Sequence, residues 1–289
     1  MIPTSEAITA YGFAGSILAL MLIFAFIIHP VTRVLPFSVQ AAVRGWVSGL
    51  AQSGFKVLIN KAFEVELIGD KIDPNESAIV ILNHSSSLDY PLVTTLAAEH
   101  GVGNNYFFFS HRRLIKLPTL PVMWSVWRAN GNWTAPSHML SYVFRDVPHK
   151  APRSGPKWVV LFPEVNEFNP ASHREHQLIC CAAGAPLLKH LLYPRYPAFV
   201  QAVEYFRHSE ITTVYDLTVQ YQAVSRPFRK EVPTWREFIC SRKLWKVTII
   251  VNKHAITDIG NKPKAMQKWL EKTWYRKDHI LEKRERKAK

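Results

Sequence analysis

AIVILN, Ala78 to Asn83, is an unbroken apolar run that leads straight into HSSSLDYP, His84 to Pro91. A short continuous apolar stretch closed by a cluster of serines fits a strand covered on both faces of a sheet, since a solvated face would call for polar residues at alternate positions. His84 follows the strand at once, and Asp89 comes five residues later. Open α/β sheets gather their sites at the carboxyl edge of such strands. Ser85, Ser86 and Ser87 are N-cap residue types for a helix starting near Leu88, which would put Asp89 in the first turn and back toward the imidazole.

An aspartate that accepts from one ring nitrogen fixes the imidazole tautomer and leaves the other nitrogen to take a proton from a hydroxyl. The same two residues also fit a purely structural role, a histidine satisfied at a helix terminus with Asp89 facing the helix dipole. The stretch alone leaves both open.

Around it lie further strand-like segments: FEVELIG, NYFFFS, KWVVLFPE, ITTVYDLTVQY and KVTIIVN. WVVLF is continuously apolar and reads as interior, whereas FEVEL alternates as an edge strand would. Strands alternating with helical segments predict an α/β fold with a mostly parallel or mixed central sheet flanked by helices. PFSVQAAVRGWVSGLAQSGFKVLINKAF, residues 36–63, carries a helical apolar stripe and is expected to form one or two amphipathic helices, either covering the core or lying on a bilayer. Near the other end, Met266, Trp269, Leu270, Trp274 and Leu281 recur at helical spacing, followed by a basic stretch expected to be solvated. The chain thus divides into an anchor (1–35), an amphipathic segment (36–63), one large α/β domain (64–283) and a basic tail (284–289). Residues 148–156, PHKAPRSGP, read as an exposed loop.

With 289 residues, 48% of them hydrophobic, the chain can bury a large core. A formal charge of +14 asks for an anionic partner. The N-terminal segment indicates which kind. Ala7 to Ile28 runs for about 22 residues without an ionisable side chain and would span ~33 Å as a helix, enough to cross a bilayer. Glu6 stands where a signal peptide would be basic, and FAFII offers no small-residue cleavage site, so an N-terminal transmembrane helix is the expectation. His29, Arg33 and Arg44 after the span put the bulk of the chain on the cytosolic side, on the charge bias. Cys180, Cys181 and Cys240, an odd set without zinc-site spacing, suit a reducing compartment. The sequons at Asn75, Asn83 and Asn132 would then stay unused. No nucleic-acid partner is expected, because no recognised motif accompanies the charge.

NHSSSLD resembles the NHxxxxD motif of the membrane-bound glycerophospholipid acyltransferases, and LFPEVNEF falls where that family carries FPEG followed by Thr-Arg. Between them HRRLIKLPTLPVMW and ANGNW resemble the family's intermediate block; PLLKHLLYPRYPAFV, VYDLTVQY and WLEKTWYRKDHILEK are similar to its later segments. The resemblance implies an acyltransferase on a membrane, such as the endoplasmic reticulum, with its domain facing the cytosol. His84 would be the general base that deprotonates an acceptor hydroxyl, Asp89 its orienting partner, and Glu164 an acidic residue shaping the acceptor site. Acyl-CoA would be the co-substrate, with no cofactor or metal, and a lysophospholipid and the lipid bilayer would be the partners.

Where the family has Gly-Thr-Arg after the glutamate, this chain has Val165, Asn166 and Glu167. Loss of the glycine removes easy access to positive φ, and glutamate for arginine inverts the local charge. A phosphate monoester acceptor would suffer most, while a headgroup-bearing lysophospholipid, such as lysophosphatidylinositol, could gain hydrogen bonds from Asn166 and Glu167. The alternative acceptor is 1-acylglycerol-3-phosphate. Lys116, Arg128 and Arg195 are candidates for phosphate or CoA contacts. His173 and His176 lack partner ligands and read as a solvated helix face. A serine hydrolase built on Ser85, Ser86, Ser87 or Ser110 lacks the G-x-S-x-G elbow, and a catalytically silent lipid-binding protein is the third reading.

Overall fold

The computed structural model describes residues 36–103, 105–110, 126–128, 155–182, 184–225, 231–240 and 243–288. The expected span Ala7–Ile28 and Lys116 lie outside them; among the described residues no helix is long and apolar enough to cross a membrane.

The elements follow one another as α1 (Phe37–Ala62), β1 (Phe63–Gly69), β2 (Ala78–Leu82), α2 (Asp89–Glu99), β3 (Tyr106–Ser110), β4 (Val126–Arg128), β5 (Trp158–Leu161), α3 (Pro170–Ala182), α4 (Pro197–Phe206), β6 (Thr213–Ala223), α5 (Trp235–Cys240), β7 (Trp245–Ala255), a 3-10 turn (Ile256–Ile259) and α6 (Pro263–Ala288). The described strands form one sheet in the order β1-β7-β6-β2-β5-β3-β4. Every neighbouring pair is parallel except β6 and β7, so the sheet is mixed and mostly parallel, with helices on both faces.

Period-two geometry divides the central strand between two cores. Val80 and Leu82 point into a layer shared with Phe55, Ile59, Leu92, Leu96 and Trp158, beneath α1 and α2. Ile79 and Ile81 point into the opposite layer with Phe199, Val203, Leu270 and Trp274 of α4 and α6. This two-sided burial is the cause of the unbroken apolar run. Among the described strands β1 pairs with β7 alone, at the edge expected for it, and beyond Phe63 its side chains are exposed or half-buried without alternation. The short strand β4 carries too few residues to announce itself in the sequence.

The one or two helices expected over residues 36–63 are one, α1, in which Phe55, Leu58, Ile59 and Ala62 are buried while Trp46 and Val57 stand exposed. Two expectations change. Residues 284–288, read as a solvated tail, are the final turns of α6, because Arg284 donates through Nε to Gln220 Oε1 at 2.8 Å and through Nη2 to Thr248 Oγ1 at 3.1 Å. The serines do not cap α2 through their side chains at its N-cap, Leu88. Asp89 reaches back to their amides instead.

Candidate active site

β2 ends at Leu82, and Asn83 continues its pairing with a side chain in place of backbone. Asn83 Oδ1 accepts from Val219 N at 2.8 Å, and Nδ2 donates to Val219 O at 3.0 Å and to Ser85 Oγ at 3.0 Å. A fully buried amide satisfied on both sides locks the turn that follows. His84 then sits 3% exposed, its ring 4.5 Å from Phe162 and edge-on to Tyr90 at 5.5 Å.

Asp89, fully buried, opens α2 beneath the imidazole. Its Oδ2 accepts from His84 Nδ1 at 3.0 Å, Ser85 N at 2.8 Å and Ser86 N at 3.0 Å, and its Oδ1 accepts from Tyr221 OH at 2.7 Å. A carboxylate can only accept, so the hydrogen resides on Nδ1 and the Nε2 lone pair is left for another proton. Ser86 Oγ accepts from Leu88 N at 3.2 Å and completes the turn.

The loop after β5 lies beside this turn because β2 and β5 are parallel neighbours. Phe168 N donates to His84 O at 2.8 Å. Glu164 is fully buried: Oε2 accepts from Leu192 N at 3.2 Å and Oε1 from Trp274 Nε1 at 3.1 Å. Burial pushes its carboxyl up to about 8, against the Leu192 and Trp274 N–H groups, the Lys277 charge and the His84 amide. Glu164 thus ties the loop to α6 and does not open to solvent. Lys277, also buried, donates to Leu217 O at 2.6 Å and pairs with Asp216 at 2.7 Å; burial lowers its pKa while Asp216 opposes that.

Val165 adopts φ 66°, the left-handed region that favours glycine. Its N–H meets Phe162 O at 2.9 Å and Asn166 N meets Glu164 O at 2.7 Å, so the reversal is held by its own backbone. The turn turns Glu167 out to an exposed position that still feels the dyad. Partial burial raises the Glu167 carboxyl, His84 opposes and Asp89 adds to the rise. Asn169 closes the loop as the N-cap of α3, its Oδ1 accepting from Ala171 N at 3.0 Å and Ser172 N at 2.9 Å, with Pro170 at the first helical position.

Of the predicted site residues, His84 and Asp89 are in contact, Glu167 and Asn166 share the adjoining loop, and Glu164 lies beneath it. Arg195, partly exposed, is held against the same loop by its N–H on Pro163 O at 2.8 Å. Arg128 ends β4, which is separated from β2 by β3 and β5. Lys116 lies outside the described residues. His173 and His176 are not a solvated face: His173 Nε2 bonds Leu188 O at 2.8 Å, and His176 is buried, because this side of α3 packs inward with Cys180. Sequence reasoning gave Tyr221 and Asn83 no functional role, although Asn83 is the residue that ends the apolar run. Among the described residues no cluster of three or more His, Cys, Asp or Glu is arranged to hold a metal.

Residues 64–204 match the family model described as Acyltransferase, from the start of β1 into α4, which takes in both loops of the site. This match, together with the relatives below, supports the glycerophospholipid acyltransferase family. It is similar to the probable 1-acyl-sn-glycerol-3-phosphate acyltransferase 5 of Arabidopsis thaliana, 25% identical over 226 residues, covering 77% of this chain and 57% of that protein. Its likeness to the human 1-acyl-sn-glycerol-3-phosphate acyltransferase gamma is 24% over 213 residues, covering 72% and 53%. The chain therefore spans little more than half the length of these curated relatives. The crystal structure of the 1-acyl-sn-glycerophosphate (LPA) acyltransferase, PlsC, from Thermotoga maritima aligns over 96% of this chain and 97% of its own, at a TM-score of 0.49 and 15% identity.

Proposed function

We propose that this protein transfers a fatty acyl group from acyl-CoA to the free hydroxyl of a lysophospholipid. The observation that carries the reading is the buried Asp89–His84 contact of 3.0 Å at the carboxyl end of β2, within the segment that matches the acyltransferase family. His84 Nε2 takes the hydroxyl proton as the acceptor oxygen attacks the thioester carbonyl. Asp89 stabilises the imidazolium so formed. As the carbon–sulfur bond breaks, the imidazolium returns the proton to the CoA thiolate, leaving an ester and free CoA.

The acceptor proposed is a lysophospholipid whose phosphate is a diester beneath a headgroup, lysophosphatidylinositol being one example. Glu167, whose carboxyl is coupled to the dyad by charge, repels a phosphate monoester and offers acceptors to headgroup hydroxyls. A second reading, acylation of 1-acylglycerol-3-phosphate, is favoured by the names of the relatives. The reading sets the reaction at a bilayer, the cytosolic face of the endoplasmic reticulum; the apolar segment 7–28 and the exposed Val39 and Trp46 of α1 support the membrane part of it.

The test is release of free CoA by purified protein given one acyl-CoA and a panel of lysolipids differing only in headgroup. Release only when an acceptor is present is expected. His84→Ala should lower turnover by on the order of 10²- to 10⁴-fold without unfolding the protein. A folded His84→Ala with wild-type turnover would remove the mechanism, and acceptor-independent release would point to a hydrolase.

A further inference from the structure

We propose that Tyr221 is a positioning residue for acyl transfer: its hydroxyl, anchored on β6, holds the second oxygen of Asp89 and thereby sets how strongly the carboxylate draws on His84. The inference rests on the proposed catalytic role of His84 and goes beyond it to a third group.

β6 touches the site twice, at positions two apart that share one face of the strand. Val219 exchanges two hydrogen bonds with the Asn83 amide, and Tyr221 donates to Asp89 Oδ1 at 2.7 Å. The other oxygen, Oδ2, already accepts from His84 Nδ1, Ser85 N and Ser86 N. Oδ1 has Tyr221 as its one hydrogen-bond donor among the described residues, and Asp89 is fully buried. Remove the hydroxyl and one oxygen of a buried carboxylate loses its partner, leaving the group free to rotate about its χ2 and share its load differently with the imidazole.

The tyrosine is itself held. Its ring packs edge-on to Phe63 at 6.0 Å, Phe63 stacks on Phe238 at 5.4 Å, and both belong to the core layer beneath α1 and α2. Burial and the Asp89 charge raise the phenol well above its ordinary value, so it stays protonated and remains a donor at any working pH. The hydroxyl donates to Asp89 and not to His84, which makes its role one of position.

That role has a signature that packing lacks. A hydrogen bond donated to Asp89 withdraws part of the charge that would otherwise stabilise the imidazolium. Without it the imidazolium is stabilised more, and a higher pH is needed to free the base. The groups whose charge bears on His84 are Asp89 from α2 and Glu167 from the loop after β5, while Glu164, its carboxyl raised by burial, meets only the His84 backbone amide; none is altered by the substitution.

The full-length protein in detergent micelles, assayed with acyl-CoA and a lysophospholipid, tests this. Tyr221→Phe should lower kcat by roughly tenfold, the scale of one hydrogen bond to a charged group. KM for both substrates should stay within about twofold, and the acid limb of the kcat/KM profile should move to higher pH. 3-Fluorotyrosine at 221 keeps ring and hydroxyl but donates more strongly, so it should move the limb the other way; it also decides the matter by itself if Tyr221→Phe folds poorly. An unmoved limb in either folded variant, or a loss confined to KM, overturns the inference. An inactive His84→Ala beside an indifferent Tyr221→Phe would refute this inference alone, whereas an active His84→Ala would refute the catalytic reading on which it stands.

Discussion

Val165 invites a comparison whose sign is unusual. In most backbone settings glycine is less stable than alanine by about 0.5–1 kcal/mol, because its unfolded chain has more freedom to lose. At φ 66° the balance reverses. A Cβ in the left-handed region costs roughly 1–2 kcal/mol, and a β-branched residue there sits at the upper end or beyond. Val165→Ala keeps the Cβ and its strain while losing the side chain's partial packing against the core beneath α4 and α6. Val165→Gly loses the same packing and a little more, together with the strain. Glycine should therefore be more stable than alanine here by about 1 kcal/mol, and within about 1 kcal/mol of the parent protein, since strain relief offsets lost burial of similar size. Denaturant or thermal unfolding of the three proteins in one detergent measures both differences. If alanine proved the more stable variant, the backbone at 165 would not be left-handed, and the account of how Glu167 is turned out beside the dyad would fall with it.

Two further outcomes follow from the neighbouring carboxylates. Glu167→Arg should shift preference toward 1-acylglycerol-3-phosphate over the headgroup-bearing acceptor by about 1–3 kcal/mol, or about fivefold to 150-fold in relative kcat/KM; equal effects on both acceptors would place Glu167 outside the acceptor site. Glu164, with its folded value near 8 against an ordinary 4.5, binds a proton in the folded state that the unfolded chain has released. Its contribution is therefore complete at pH below the unfolded value and is lost as pH rises through about 8, a decline of order a few kcal/mol at about 1.4 kcal/mol per unit. Unfolding measured from pH 5 to pH 9 should show that decline, and Glu164→Gln should flatten it; an unchanged slope in the variant would mean the carboxyl ionises as freely folded as unfolded.

The sheet was legible because its signals are local. AIVILN and WVVLF have no polar alternation since Ile79 and Ile81 face one core while Val80 and Leu82 face the other, and FEVELIG carries its glutamates because β1, at the sheet edge, is largely uncovered beyond Phe63. What local pattern could not supply was the order of the strands and the antiparallel placement of β7, which follow from contacts far apart in the chain. The basic stretch after Glu282 shows the same limit: Arg284 is drawn into helix α6 by Gln220 and Thr248, partners that no neighbouring residue announces.

The two carboxylates of the site show how far a motif can be read. Asp89 was legible because its partners, His84, Ser85 and Ser86, all lie within five residues, so the short turn that leads into α2 brings them together. Tyr221 was not, since only the pairing of β6 with β2 carries its hydroxyl to Asp89 Oδ1. Glu164 stands between these cases. Its motif identifies the residue, yet its surroundings are Leu192 and Trp274, and those turn a carboxyl expected at the acceptor site into a buried one that fixes the loop carrying Glu167. The same three residues that depart from the family's pattern, Val165, Asn166 and Glu167, then determine what that loop presents beside His84. A strained turn is retained at 165 without the glycine that would relieve it, and the negative charge it displays lies in the field of the base. Turn and charge both bear on the dyad, so a test of Glu167 is also a test of the turn that carries it.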